Sequence, residues 1–88
     1  MDTIFDIQGF GEQVLTLRKD SGLSQSELAR MAGVSRAFVS GLENGQMHDP
    51  GMKKILRVLK VLGKGLKIVS FGPPSLEDLL AEQGLLHD

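Results

Sequence analysis

Apolar side chains recur at helical spacing along the first two thirds of the chain, and this pattern predicts four helices. The first should run from about Phe10 to Asp20, because Phe10, Val14 and Leu17 then share one face. The fourth should open at Asp49-Pro50, and its apolar stripe consists of Met52, Ile55, Leu56, Leu59 and Leu62. The pattern therefore predicts a mainly helical domain.

Two serines mark the starts of the helices that lie between these. Ser24 should cap the second helix, since Glu27 follows three residues later and completes a capping box. Ser35 should cap the third helix, which the pair Asn44-Gly45 ends. Gly33 lies between the two helices, so they should be joined by a short turn.

Beyond the fourth helix the pattern changes from helical to extended. Residues Leu66–Phe71 are rich in branched and aromatic side chains, as in a strand. Gly72-Pro73-Pro74 then breaks the chain, and Ser75 opens a short helix with leucines on one face. The sequence thus divides into an N-terminal extension (1–9), a helical domain with its strand (10–72) and an acidic C-terminal tail with a short helix (73–88).

A single strand cannot satisfy its own backbone groups, so Leu66–Phe71 needs a neighbour. One arrangement pairs it with the same strand of a second subunit, which gives a ladder between subunits and a dimer held by Leu66, Ile68, Val69 and Phe71. The other arrangement pairs it with Thr3–Ile7 of the same subunit. We predict the ladder between subunits, because a shared apolar layer would stabilise a domain whose small size leaves it marginal.

The spacing of small, apolar and turn residues from Gln25 to Asn44 is that of a helix-turn-helix. Such a motif needs a small side chain where its two helices cross and a turn residue that tolerates positive φ. With Gln25 as the first position, Ala29 falls at the crossing and Gly33 in the turn. The positions that must be apolar hold Leu28, Ala32, Val34, Val39 and Leu42. The chain is therefore expected to bind DNA through this motif.

The stretches Gly22-Leu23-Ser24-Gln25-Ser26-Glu27-Leu28-Ala29, Ala32-Gly33-Val34-Ser35 and Leu42-Glu43-Asn44-Gly45 resemble the Cro/repressor, or Xre-like, helix-turn-helix family. The resemblance covers about residues 10–62. It implies an all-α, lambda-repressor-like domain of four to five helices, to which this chain adds one C-terminal strand as a ladder between subunits. It also implies a structural ion pair between Arg18 of the first helix and Glu43 of the third, which orients the recognition helix.

Roles in DNA binding follow from the docking geometry of that family, in which the second helix of the motif enters the major groove. Arg36 is expected to contact guanine through two hydrogen bonds, Ala37 to pack on a thymine methyl, and Ser40 to bond a base or a phosphate. Gln25 is expected to bond a phosphate at the N-terminus of its helix. The full set of expected DNA contacts is Ser24, Gln25, Ser35, Arg36, Ala37, Ser40, Asn44 and Lys53.

A second resemblance extends past the motif. The stretch Leu59-Lys60-Val61-Leu62-Gly63, followed by Leu66-Lys67-Ile68-Val69, is similar to the HipB-like antitoxins. It implies a repressor that binds a near-palindromic operator in double-stranded DNA as a homodimer, autoregulates a toxin–antitoxin operon and binds a HipA-like kinase toxin. The alternative is a free-standing repressor of the phage or plasmid type, without a toxin partner.

Composition narrows the functional classes. The formal net charge is −1, but residues 51–72 hold six Lys or Arg and no acid, so a local basic surface is available to phosphate. There is no cysteine and no metal-ligand spacing around either of the two histidines, so we expect no metal and no cofactor. The sequence has no Ser/His/Asp set and no convergent carboxylate pair that would indicate an enzyme.

The ends and apolar runs of the sequence bear on localisation. The longest apolar run is far shorter than the ~18–20 residues of a membrane span, and Met1-Asp2-Thr3 carries no basic region. We therefore expect a cytoplasmic protein without a membrane contact.

Overall fold

The computed structural model describes residues 6–70, and these residues fold into four α-helices. α1 spans Ile7–Asp20, α2 spans Gln25–Ala32, α3 spans Arg36–Glu43 and α4 spans Met52–Val61. For this part of the chain, the predicted helical domain is confirmed.

One cluster of buried apolar side chains holds the four helices together. Its fully buried members are Val14 of α1, Leu28 of α2, Val39 and Leu42 of α3, and Val58 of α4. α3 packs against both α1 and α2, and α2 also packs against α4. Burying a side chain of this size stabilises a fold by ~1.5–3 kcal/mol, so packing on two sides fixes the position of α3.

α1 approaches the backbone of α3 closely at Gly11. A Cβ atom built on Gly11 would overlap the carbonyl oxygen of Leu42 and lie 3.3 Å from the Cα of Glu43. The obstacle is backbone rather than a side chain that can move aside, so only glycine fits without a shift of one helix. Gly11 therefore sets the separation of α1 and α3.

α1 begins three residues earlier than the apolar pattern predicted. The side chain of Asp6 caps it by accepting a hydrogen bond from the backbone N–H of Gly9 at 2.7 Å, and Ile7 is the first helical residue. The pattern missed this start because Gly9 is a poor helix former and the start depends on the cap. Ile7, which the alternative pairing placed in a strand, therefore belongs to a helix, and residues 3–5 of that candidate strand lie outside the described residues.

α4 begins later than predicted, and its predicted apolar stripe faces the core only in part, through Ile55, Leu59 and Leu62. It starts at Met52, after Gly51 with a φ of +87°. Met52 and Leu56, two members of the predicted apolar stripe, are 59% and 44% exposed, whereas Val58 is fully buried. The buried face is set by the packing of α4 against α2, which the spacing within one helix does not specify.

Residues 63–70 leave α4 without entering another helix or a strand. Gly63, with a φ of +70°, turns the chain at the end of α4. The predicted strand is not formed by residues 66–70 within one subunit, and its last residue, Phe71, lies outside the described residues, as does the short helix predicted from Ser75. Between residues 6 and 70, no helix has the length and apolar character needed to cross a membrane.

Candidate nucleic-acid interface

Gly33 forms the turn between α2 and α3. It adopts the left-handed conformation, with φ +69° and ψ 34°, which residues with a Cβ rarely take. The backbone N–H of the next residue, Val34, donates to the carbonyl oxygen of Ala29 at 2.9 Å. Ala29 is buried, so a small side chain lies where the two helices meet. α2 and α3 thus form the helix-turn-helix that the spacing predicted.

Serine caps fix the starts of both helices of the motif. Ser24 Oγ accepts the backbone N–H of Glu27 at 3.0 Å, and the Glu27 carboxylate accepts the backbone N–H of Ser24 at 2.9 Å, which completes the capping box. The bond from the Ser24 backbone holds the pKa of Glu27 below its usual range. Ser35 Oγ accepts the backbone N–H of Phe38 at 2.9 Å. Each serine hydroxyl keeps its own proton for a further acceptor.

α3 turns a mainly polar face to solvent. Arg36 and Ala37 are exposed at its first turn, Ser40 is half-buried one turn later, and Asn44 is exposed at its C-terminal cap. Asn44 Nδ2 lies 3.5 Å from Ser40 Oγ, a long and weak hydrogen bond, so both groups remain able to bond another partner. The four α3 residues expected to contact DNA therefore share one side of the helix.

A buried ion pair joins the end of α3 to α1. Arg18 Nε donates to Glu43 Oε2 at 2.6 Å, and Arg18 Nη2 donates to Glu43 Oε1 at 3.0 Å. Arg18 Nη1 also donates to the carbonyl oxygen of Leu23 at 2.9 Å. The hydrogen bond to Glu43 raises the pKa of Arg18. These are the two residues for which the family resemblance implied an ion pair, and its two-bond geometry fixes the orientation of α3 against α1.

Gln25, the first residue of α2, adds a third hydrogen bond to the same carboxylate. Its Nε2 donates to Glu43 Oε1 at 3.1 Å, and the residue is half-buried. The amide nitrogen carries two protons, so one remains for another acceptor. Gln25 therefore links the start of α2 to the end of α3, a bond that sequence reasoning missed because the two residues are eighteen positions apart.

The start of α4 brings positive charge next to α3. Lys54 Nζ lies 5.2 Å from the ring centroid of Phe38, within the range of a cation–π interaction. Phe38 is buried, so its ring holds Lys54 beside α3. Lys53, the neighbouring residue and an expected DNA contact, is exposed.

A glycine inside α3 has a packing role that sequence reasoning did not resolve. A Cβ atom built on Gly41 would lie 3.2 Å from Met47 Cε, so the glycine makes room for that side chain. A methionine is unbranched and flexible, and its contacts cannot be inferred from spacing. The only signal for this contact was the glycine itself, which is a costly residue within a helix.

The residues expected to join two subunits follow α4. Leu66, Ile68 and Val69 are 52%, 100% and 49% exposed, and Phe71 lies outside the described residues. Within residues 6–70, no group of three or more acidic, histidine or cysteine side chains converges as a metal ion would require.

Comparison with known proteins finds the same motif in proteins named as transcriptional regulators. The helix-turn-helix family model matches residues 14–69. The HTH-type transcriptional repressor RghR of Bacillus subtilis is 38% identical over 63 residues, which are 68% of this chain and 47% of RghR. This chain spans about half the length of the curated relatives it matches.

Two solved structures share the fold. SinR, the master regulator for biofilm formation, in complex with DNA superposes with a TM-score of 0.59 at 33% identity, over 62% of this chain and 87% of that one. A chain of the HipA–HipB–O2–O3 complex superposes with a TM-score of 0.73 over 82% of this chain and all of that one. Its identity is 21%, which indicates a common fold and no more. With the family model matched across the motif and its flanking helices, the chain belongs to the helix-turn-helix family of the Cro/repressor, or Xre-like, type.

Proposed function

We propose that this protein is a sequence-specific DNA-binding transcriptional repressor that binds a near-palindromic operator as a homodimer. The observation that carries the proposal is the exposed face of α3, whose helix is held by a buried ion pair, a serine cap and apolar packing on two sides. Relatives named as transcriptional regulators, and SinR in its complex with DNA, support it.

Arg36 is the residue that we expect to read a base. It is the first residue of α3 and is exposed, and a guanidinium can donate two parallel hydrogen bonds to O6 and N7 of guanine. Ala37, on the same face, suits contact with a thymine methyl, and Ser40 can bond either a base or a phosphate. A good two-bond contact contributes ~1–3 kcal/mol to discrimination between bases.

Phosphate contacts are expected at the starts of α2, α3 and α4. The first N–H groups of a helix have no acceptor within the helix and carry partial positive charge. Ser24, Gln25 and Ser35 add side-chain protons at the starts of α2 and α3, and Lys53 adds a charge at the start of α4. Asn44 is expected to contact the DNA backbone from the other end of α3.

Binding should depend strongly on salt although the net charge is −1. The charges that matter are local, chiefly those of Arg36, Lys53 and Lys54 beside the exposed face of α3. If a dimer neutralises ~6 phosphates, the logarithm of affinity should fall against the logarithm of salt concentration with a slope near −5.

The segment 66–71 is proposed to join the two subunits as a strand ladder. Leu66 lines a cavity of about 110 Å³ together with Phe10 of α1 and Leu59 of α4, so the segment begins beside two residues of the core. Ile68 is fully exposed, and an exposed apolar strand with unpaired backbone groups favours pairing with another strand. A two-fold dimer would place two recognition helices ~34 Å apart, one turn of DNA.

We further propose that the protein acts as HipB-like antitoxins do, repressing its own operon and binding a HipA-like kinase toxin. The support is the shared fold with HipB and the apolar segment that follows α4. A free-standing phage or plasmid repressor would have the same motif and no toxin. A kinase gene next to this protein's own gene, whose product copurifies with this protein, would favour the antitoxin, and a neighbourhood without one would favour the repressor.

The repressor proposal is tested by selecting binding sites from a random library of duplex DNA with the full chain. We expect enriched sites that are near-palindromic, with half-sites about one helical turn apart. Gel shifts on the best site should show two subunits per duplex. Equal affinity for selected and unselected duplexes would contradict a sequence-specific repressor.

A further inference from the structure

α4 carries an outer face on which apolar and basic side chains lie together. We define this outer face as Met52, Lys53, Leu56, Arg57 and Lys60. All five residues are exposed, and Met52 and Leu56 account for two of the large exposed apolar side chains of the described chain. Their spacing of three and four residues places them on one side of the helix.

The positive charge of the outer face is not balanced within the described residues. α4 contains no acidic residue, and the ion pair found among residues 6–70 is that of Arg18 with Glu43. Lys53 and Arg57 are four residues apart and Arg57 and Lys60 three, which are spacings at which like charges destabilise a helix. A partner for this face should therefore supply acidic groups together with apolar side chains for Met52 and Leu56.

We propose that the chain's own C-terminal tail, residues 75–86, docks on the outer face of α4. Residues 73–88 hold four acids and no base, which complements the face in charge. The helix predicted from Ser75 has three leucines on one side, with acidic residues beside them: Leu76, Glu77, Asp78, Leu79, Leu80 and Glu82. Its leucines would cover Met52 and Leu56, and its carboxylates would lie near the basic side chains.

The connection between α4 and the tail is long enough for this contact. Twelve residues lead from Gly63 to Ser75, and an extended chain of that length reaches up to ~40 Å. α4 has ten residues and is therefore about 15 Å long. A tail on such a tether stays at an effective concentration in the millimolar range, so a weak contact is enough for it to be occupied.

The docked tail would also weaken DNA binding, a consequence that rests on the proposed function. Lys53 is one of the expected phosphate contacts, and the carboxylates of the tail would neutralise it before DNA does. The tail would thus be an autoinhibitory segment that lowers the affinity for DNA.

Oxidation of methionines in the full chain tests the docking without DNA, so its failure would leave the repressor proposal standing. Met52 and Met31 are 59% and 52% exposed in the described chain, which makes Met31 an internal reference. At low peroxide, followed by mass spectrometry, we expect Met52 to form sulfoxide at least about threefold more slowly than Met31. The triple variant L76S/L79S/L80S should bring the two rates together, with Met31 unchanged.

A charge variant and a dilution series complete the test. Arg57→Glu should speed oxidation of Met52, and Lys19→Glu, which alters an exposed lysine of α1, should not. Protection should persist on dilution by about a hundredfold, since the contact lies within one chain. Equal rates for Met52 and Met31 in the natural sequence would overturn the proposal. So would protection that the triple variant does not relieve, or that dilution removes, because a second copy or another partner would then cover the face.

Discussion

α3 and the segment 66–70 belong to the same domain and are built in opposite ways. α3 is capped at its start, paired through Glu43 at its end and packed against two helices, with Val39 and Leu42 fully buried. The segment 66–70 forms neither helix nor strand, and Ile68 is fully exposed. One chain is therefore enough to orient the proposed recognition surface, whereas the proposed dimer surface is apolar and needs a second subunit to bury it.

The largest expected effect comes from adding a side chain where the backbones of α1 and α3 are in contact. Gly11→Ala should prevent α3 from seating, because the added Cβ would overlap the carbonyl oxygen of Leu42. The obstacle is backbone, so we expect a loss above about 5 kcal/mol, which is the low end of the stability of a whole domain. Circular dichroism during heating should show little cooperative unfolding. The control is Gly65→Ala, whose Cβ would meet no atom within 4 Å, and an equal, mild effect of both would contradict the packing described.

Removing the carboxylate of the ion pair should cause the next largest loss in the free energy of unfolding. Glu43→Ala leaves the guanidinium of Arg18 buried without its partner, which costs about 3–5 kcal/mol. Urea unfolding measures the loss directly. The double variant R18M/E43L should recover most of the stability, since it removes both buried charges. A double variant as unstable as the single one would mean that the hydrogen bonds of the pair, rather than its charges, hold α3.

A substitution in the segment 66–70 should weaken the dimer and leave the stability of the domain almost unchanged. Ile68→Lys should raise the dimer dissociation constant by about tenfold or more, which is 1.4 kcal/mol, because a charge would replace an apolar contact. The unfolding of the domain itself should barely change, since Ile68 is fully exposed within one chain. Analytical ultracentrifugation measures the first effect and urea unfolding at low concentration the second.

Deleting residues 1–5 distinguishes between the two possible partners of the segment 66–70, which are a second subunit and the N-terminal residues of the same subunit. The deletion keeps Asp6, which caps α1, and Ile7, which begins it. If the segment pairs across the two-fold axis, the shortened protein should remain a dimer. A monomer would favour pairing with the N-terminal residues of the same subunit.

The smallest effect concerns the capping box at the start of α2. The backbone hydrogen bond from Ser24 lowers the pKa of Glu27, so the charged carboxylate stabilises the folded state. A lowered folded pKa means that this contribution is present above the unfolded pKa of about 4.3 and is lost as the pH falls through the folded value. The difference in unfolding free energy between the natural sequence and Glu27→Gln should therefore shrink toward pH 3. Glu12→Gln, at an exposed position of α1, is the matched control for the loss of a surface carboxylate.

The bounds of α2 and α3 could be predicted from the sequence because local interactions set them. Ser24 and Ser35 bond backbone N–H groups three residues later, and Gly33 takes a φ that other residues avoid. Each of these signals lies within one turn of the helix end that it determines. The small Ala29 and the apolar positions of the motif follow from the same crossing of two helices.

What could not be predicted depends on contacts between distant parts of the chain. The outward placement of Met52 and Leu56 follows from the packing of α4 on α2, and the need for glycine at position 11 follows from the approach of α3. The bond from Gln25 to Glu43 likewise requires the folded arrangement of α2 and α3. Such features depend on which helix packs where, and periodicity within one helix carries no information about that.

Binding of an Arg36→Ala variant to single-base changes of the selected site tests the central claim most directly. Arg30→Ala, an exposed arginine in the last turn of α2, is the matched control. We predict that Arg36→Ala loses about 1–3 kcal/mol on the selected site and that the preference at one base pair of each half-site is relaxed, while Arg30→Ala leaves that preference intact. An equal loss by Arg36→Ala on every sequence would assign Arg36 to the phosphate backbone and contradict base reading by the exposed face of α3.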